Sequence, residues 1–163
     1  MDEINSGFLE TNEDDTQYGR YLTFDLDEEC FGIEIKYVTE IIGMQKITKI
    51  PEIMEYIKGI INLRGKIIPV VDVRLKFNKD QKEYNDRTCI IVIDTQEIVV
   101  GLIVDSVSEV MSINDEDIAP PPSEKKGIRN RYLKGIGKTD DQVKLLLDCK
   151  KLFDEEDNKI LET

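Results

Sequence analysis

The 163-residue chain has no histidine, only three cysteines, and no apolar run long enough to cross a bilayer. Without histidine, no side chain has an ordinary pKa near neutrality, so the usual general base and the commonest zinc ligand are both missing, and a phosphohistidine relay is excluded. Cys30, Cys89 and Cys149 are widely spaced, odd in number and without a C-x-x-C pair. Set among apolar residues, they read as small buried hydrophobes of a reducing compartment, with neither disulfide nor metal chemistry. The longest apolar run, residues 98–104 with Gly101 inside it, falls far short of the roughly 20 residues a spanning helix needs. The N-terminus is acidic and lacks an apolar signal core. The expectation is a soluble, cytoplasmic protein that takes no metal and no cofactor.

Net charge is −12, most of it at the two ends. Residues 1–17 carry Asp2, Glu3, Glu10, Glu13, Asp14 and Asp15 with no Lys or Arg, and residues 154–163 carry Asp154, Glu155, Glu156, Asp157 and Glu162 against Lys159. Both segments read as acidic, flexible, solvated tails around a nearly neutral domain at 18–153. A nucleic-acid binder would normally present a basic face, and none is visible.

Two glycine-lysine pairs suggest a phosphate loop, and both fail. Such a loop needs four residues between its glycines and a hydroxyl residue after the lysine. Gly59 and Gly65 have five between them and Lys66 is followed by Ile67, while Gly137-Lys138-Thr139 has Tyr132 where the first glycine belongs. A small nucleotide-binding regulator or enzyme therefore stands as a distant alternative.

The positive content is a duplication. Tyr56, Lys58, Gly59, Asp72 and Phe77 return as Tyr132, Lys134, Gly135, Asp148 and Phe153, all at an offset of 76 residues. Upstream, Gly32, Val38 and Glu40 return as Gly101, Val107 and Glu109 at an offset of 69. The difference is absorbed as loop around Pro120-Pro121-Pro122-Ser123. Half-units of about 65 residues are marginal alone, so the halves, about 20–87 and 88–153, are expected to pack together.

Period-two alternation over Arg20–Leu26, a returning strand at Cys30–Ile35, and hairpins around Arg64-Gly65 and Thr95-Gln96 predict a mainly β protein built from closed or nearly closed barrels. Lys36–Ile42 and its counterpart Asp105–Met111 read as short helical turns, with Ile41 packed in the core, and Gln45–Ile50 as a further strand. Pro69 predicts an edge or bulge, and Asp72 and Asp148 predict caps on short turns. Within this frame one place is unequal: Asn62-Leu63-Arg64-Gly65 in the first copy faces Lys138-Thr139-Asp140-Asp141 in the second. A guanidinium at a hairpin tip offers five fixed donors suited to a partner's carboxylate or carbonyls. Val38 and Ile42 beside Glu40 form a second candidate, an apolar-acidic patch on the short helical turn.

The runs K-G-I-I-N-L-R-G-K-I-I-P-V-V-D-V-R-L-K-F, F-G-I-E-I-K-Y-V-T-E-I-I and V-V-G-L-I-V-D-S-V-S-E-V, in this order over residues 20–153, resemble the CheW-like chemotaxis coupling proteins. The resemblance implies two intertwined five-stranded SH3-like β-barrels around a shared core. It also implies a non-enzymatic adaptor joining transmembrane chemoreceptors to the regulatory domain of the chemotaxis histidine kinase. On this resemblance the receptor's helical tip enters a groove between the barrels. The receptor-side residues fall on Val38, Glu40, Gly59, Asn62, Arg64 and Ile90, and the kinase meets barrel ends in the second half-unit. Membrane association would come only through receptors. With no room for a kinase or receiver domain, the expected form is the free-standing adaptor.

Overall fold

The alternation at Arg20–Leu26 and the apolar run near Gly101 both become strands in the computed structural model, which describes residues 17–51, 53–122, 129–140 and 142–162. The strands are β1 (Arg20–Leu26), β2 (Glu29–Glu34), β3 (Val38–Gly43), β4 (Ile57–Leu63) and β5 (Lys66–Asp72), then β6 (Cys89–Asp94), β7 (Val99–Val104), β8 (Ser106–Ser112), β9 (Ile118–Ala119), β10 (Leu133–Thr139) and β11 (Gln142–Leu147). Among the described residues, two short α-helices, α1 (Val73–Lys76) and α2 (Glu155–Leu161), and short 3-10 turns complete the order. The protein is mainly β, as the sequence implies, with the strands in two SH3-like sheets ordered β3-β6-β7-β5-β4 and β8-β1-β2-β11-β10-β9.

Neither sheet is one sequence repeat. The first two strands of each repeat leave their own half and join the last strands of the other. β1 pairs antiparallel with β8 through Arg20↔Ser112 and Phe24↔Val107, and β6 pairs with β3 through Cys89↔Gly43 and Ile93↔Val38; β6 is β1 advanced by 69 residues and β8 is β3 advanced by 69, so the two registers match. The parallel contacts match as well: Gly32 faces Leu146, and Gly101 faces Val70. Both glycines sit at close approaches. A Cβ on Gly32 would lie 2.8 Å from Leu146, and one on Gly101 would lie 2.7 Å from Ile90 and 3.0 Å from Val70.

Because each sheet draws on both halves, the interior is continuous between them. One cluster of buried side chains contains Phe24 and Phe31 of one sheet, Val71 and Leu102 of the other, and Leu161 of α2. Rings of Phe24, Phe31, Phe77 and Tyr132 follow one another at centroid distances of 5.5–5.7 Å through this core. Arg74 of α1 adds a polar clasp: its Nη1 donates to Asp27 at 2.7 Å and to Asp105 at 2.9 Å, in turns before β2 and β8.

Several local expectations need correction. Residues 38–43 and 106–112 are strands, and the first is preceded by a 3-10 turn at Ile35–Tyr37. The helix-like spacing of Val38, Ile41 and Ile42 arises because an outward strand position is apolar: Ile41 is 43% exposed, while Val38 and Ile42 pack against the core. Residues 45–50 contribute a single bridge, Thr48 to Ile60, the counterpart of Ala119 opposite Ile136. Pro69 lies in an interior strand. Ile60 uses both backbone groups on Thr48, so its pairing with Pro69 is the non-hydrogen-bonded kind and the missing proline N–H leaves no gap toward β4. Only Cys149 is fully buried; Cys30 and Cys89 sit at strand starts and are half-buried. Asp72 does cap α1, accepting from the N–H of Arg74 and Leu75, and Asp148 accepts from the Lys150 N–H in the matching turn.

The segment at 154–163 also departs from the expected solvated tail. Asp154 and Asp157 form a capping box that starts α2, and Leu161 enters the shared core. Asp157 is buried and meets Lys76 Nζ at 2.8 Å and the Tyr56 hydroxyl. Lys76 lies over the rings of Tyr56, Tyr132 and Phe153 at 4.3–5.5 Å. Sequence acidity hid this anchor because the one buried acid among five has the same letter code as the solvated ones. The N-terminal residues 1–16, and Ser123 of the proline segment, lie outside the described residues.

Two outcomes are expected. Gly59 has φ +144°, and a Cβ there would sit 2.1 Å from the Thr48 carbonyl oxygen. Gly59→Ala should therefore lower stability by about 3 kcal/mol, read by chemical denaturation. Burial pushes the Asp157 carboxyl up, but hydrogen bonds from Lys76, Tyr56 and the Asp154 backbone outweigh it and leave the pKa below the usual value. The anchor is thus fully present above the unfolded carboxylate pKa and is lost as pH falls toward the folded one. The thermal midpoint of Asp157→Asn should trail the wild type most near neutrality and converge with it as pH falls below about 4.

Candidate functional site

The β4–β5 hairpin closes through Arg64 and Gly65, both with positive φ (52° and 89°). Two consecutive left-handed residues make the I′ type of turn that fits strand twist, and the Asn62 side chain secures it by accepting the Gly65 N–H at 2.8 Å. Asp140 occupies the matching position of the β10–β11 hairpin with φ 46°. The first residue of the tip is left-handed in both hairpins, and its side chain differs.

Arg64 does not extend freely into solvent. Its Nη2 meets both carboxylate oxygens of Glu40, at 2.7 and 2.5 Å, with the arginine side chain 70% exposed. Glu40 lies on β3 and Arg64 at the end of β4, the two outermost strands of the five-stranded sheet, so the ion pair joins the edges of one barrel. In the second barrel the corresponding residues are Glu109 and Asp140, two acids that cannot form such a pair. The opposite charges therefore mark one barrel only.

The six residues placed on the receptor side occupy different depths. Glu40, Asn62 and Arg64 reach the surface, and Val38 is half-buried beside Glu40, across the irregularity in β3. Ile90 is wholly buried, opposite Ile42 and Ile103, in a core cluster with Ile61 and Val70, and its side chain does not reach the surface. Gly59 is likewise buried beneath the Thr48 backbone. Sequence reasoning missed Ile41 and Ile67, which are outward-facing at 43% and 47% exposure. Their signal was available: each has an apolar, exposed counterpart in the other barrel, Val110 and Val143. Among the described residues no cluster of three or more His, Cys, Asp or Glu is arranged to hold a metal, and no helix is long and apolar enough to cross a membrane.

The family model for the CheW-like domain matches residues 20–157, running from the first strand into α2. The chain belongs to the CheW-like family. This CheW-like chain is 37% identical over 142 residues to the chemotaxis protein CheW of Klebsiella aerogenes, covering 87% of this chain and 86% of the relative. It is 32% identical over 136 residues to CheW of Treponema pallidum, covering 81% and 80%. The crystal structure of the scaffolding protein TtCheW from Thermoanaerobacter tengcongensis superimposes with a TM-score of 0.77 at 39% identity, covering 83% of this chain and 92% of that one. The chain thus falls within a family of chemotaxis adaptors and scaffolds, and the match extends as far as Asp157, four residues into the acidic segment at 154–163.

An exposed ion pair contributes only about 0–1 kcal/mol. Arg64→Ala should accordingly shift the denaturation midpoint of this CheW-like chain by no more than that, leaving the variant suitable for binding measurements.

Proposed function

We propose that this chain is a non-enzymatic adaptor that couples transmembrane chemoreceptors to the chemotaxis histidine kinase in the cytoplasm. The receptor's helical tip docks in the groove between the barrels, against the edge formed by Arg64, Glu40, Asn62 and Val38. The regulatory domain of the kinase meets the second half-unit. One observation carries this reading: the Arg64–Glu40 pair stands at the place where the duplication is broken, on a rigid turn, with most of the guanidinium open to solvent.

The pairing gives the site a physical character. Arg64 directs one nitrogen at Glu40, so other donors of its planar fork remain for a partner, while Glu40 fixes its rotamer in advance. A receptor helix placing a carboxylate or terminal carbonyls there would meet a preorganised donor beside the apolar Val38. Affinity from one such contact is modest, and adaptors gain the rest through multivalent positioning.

The test is a charge reversal cycle read by binding to a receptor cytoplasmic fragment and, separately, to the kinase regulatory domain. Arg64→Ala and Arg64→Glu should weaken receptor binding about tenfold or more, the loss of a charge-assisted contact. Kinase-domain binding should stay within about twofold. The double variant Glu40→Arg with Arg64→Glu restores the internal pair but reverses its polarity, so it should fold normally and still bind receptor poorly. Full receptor binding by a folded Arg64→Glu variant would sink the assignment.

A further inference from the structure

Away from the docking edge, the parallel contact between β2 and β11 sets two reactive side chains together. Phe31 faces Leu145 in that ladder, and the residues before them, Cys30 and Lys144, meet with Lys144 Nζ 3.3 Å from Cys30 Sγ. Lys144 is 7% exposed, and its other partner is the Gln142 amide oxygen at 2.8 Å. Both partners are formally neutral, an unusual setting for a buried ammonium. The thiol in turn lines a solvent-open cavity of about 460 Å³, walled by Asp25, Glu28, Glu29 and Val143 among others. A small neutral oxidant can therefore reach the sulfur while the amine waits behind it.

We propose that Cys30 and Lys144 are a modification site: hydrogen peroxide converts them to an S–N crosslink, a sulfenamide, that ties β2 to β11. In the first step an S–O bond forms and the peroxide O–O bond breaks; sulfur is oxidised by two electrons, and the other oxygen leaves as water. Lys144 then releases a proton to solvent, and its lone pair attacks the sulfenic sulfur. The S–N bond forms, the S–O bond breaks, and the hydroxyl departs as a second water with another amine proton. Thiol, ammonium and peroxide thus give sulfenamide, two waters and one proton. Burial pushes the Cys30 thiol pKa up against the pull of Lys144, so the first step is slow and needs sustained peroxide. Residues 30 and 144 belong to different repeats, so the bond fastens the strand exchange itself.

The experiment treats the full chain with hydrogen peroxide and maps non-reduced tryptic peptides by mass spectrometry. The expected product joins the Cys30 and Lys144 peptides at about 2 Da below their summed mass, with cleavage after Lys144 lost, and dithiothreitol reverses both changes. Lys144→Met should abolish the crosslink and let Cys30 accumulate as a sulfenic acid that dimedone traps. Circular dichroism checks the fold of that variant, and Cys30→Ser provides an independent loss of the product. The proposal is overturned if wild-type Lys144 stays cleavable while Cys30 remains a thiol, proceeds to sulfinic acid or pairs with another cysteine. It is equally overturned if the crosslink survives in Cys30→Ser.

Discussion

The exchange of strand pairs between the two halves is the constraint from which the other features follow. β2 must lie parallel to β11, and β7 to β5, with Gly32 and Gly101 at the crossing points, where neighbouring side chains pack against their backbone. Once these contacts form, neither sheet can be completed by one repeat. The apolar faces of both repeats then close over a single interior, which removes the size problem that each half of the sequence would face alone. Arg74 and Lys76 hold the same junction with charge, each buried beside acids from other parts of the chain. Such pairs are costly to desolvate and gain their value from geometry, so they fix how the halves meet more than they raise total stability.

Against this symmetric frame, function requires asymmetry, and the chain places it at few positions. Arg64 and Asp140 are left-handed at matching hairpin positions, but Arg64 meets Glu40, whereas Asp140 and Glu109, their counterparts, are both acids. The second departure is α2, which follows one repeat only and sends Asp157 and Leu161 into the interior. A duplicated scaffold thereby offers two faces of similar backbone shape and different charge. This suits the adaptor role proposed for the chain.

Much of this was legible from residue order. The constant offsets of 76 and 69 carry over into matched strand registers, and Arg64 stood out because it broke the repeat. What failed did so for identifiable reasons. Ile41 gave β3 a helical spacing because an apolar residue faces outward, and periodicity assumes that apolar means inward. Asp157 was counted with solvated acids because its partners, Lys76 and Tyr56, lie 81 and 101 residues away in sequence. Ile90 carries no local sign of whether its side of the strand faces inward; its burial with Ile61, Val70 and Ile103 shows that it does.

The strand exchange also gives the chain a direction in time. The sheet made of β3 to β7 is contiguous, so all of it has been synthesised once residue 104 has left the ribosome. The other sheet begins with the first strands made and ends with the last, so β1 and β2 must wait, with their apolar faces uncovered, until β8 to β11 emerge. The barrel bearing Arg64 is then the early, locally wired one, and its neighbour is completed only by closing a loop nearly as long as the domain. Vectorial synthesis thereby builds the two similar barrels by different routes, and the acidic stretch ahead of β1 adds charge to the segment that stays exposed longest.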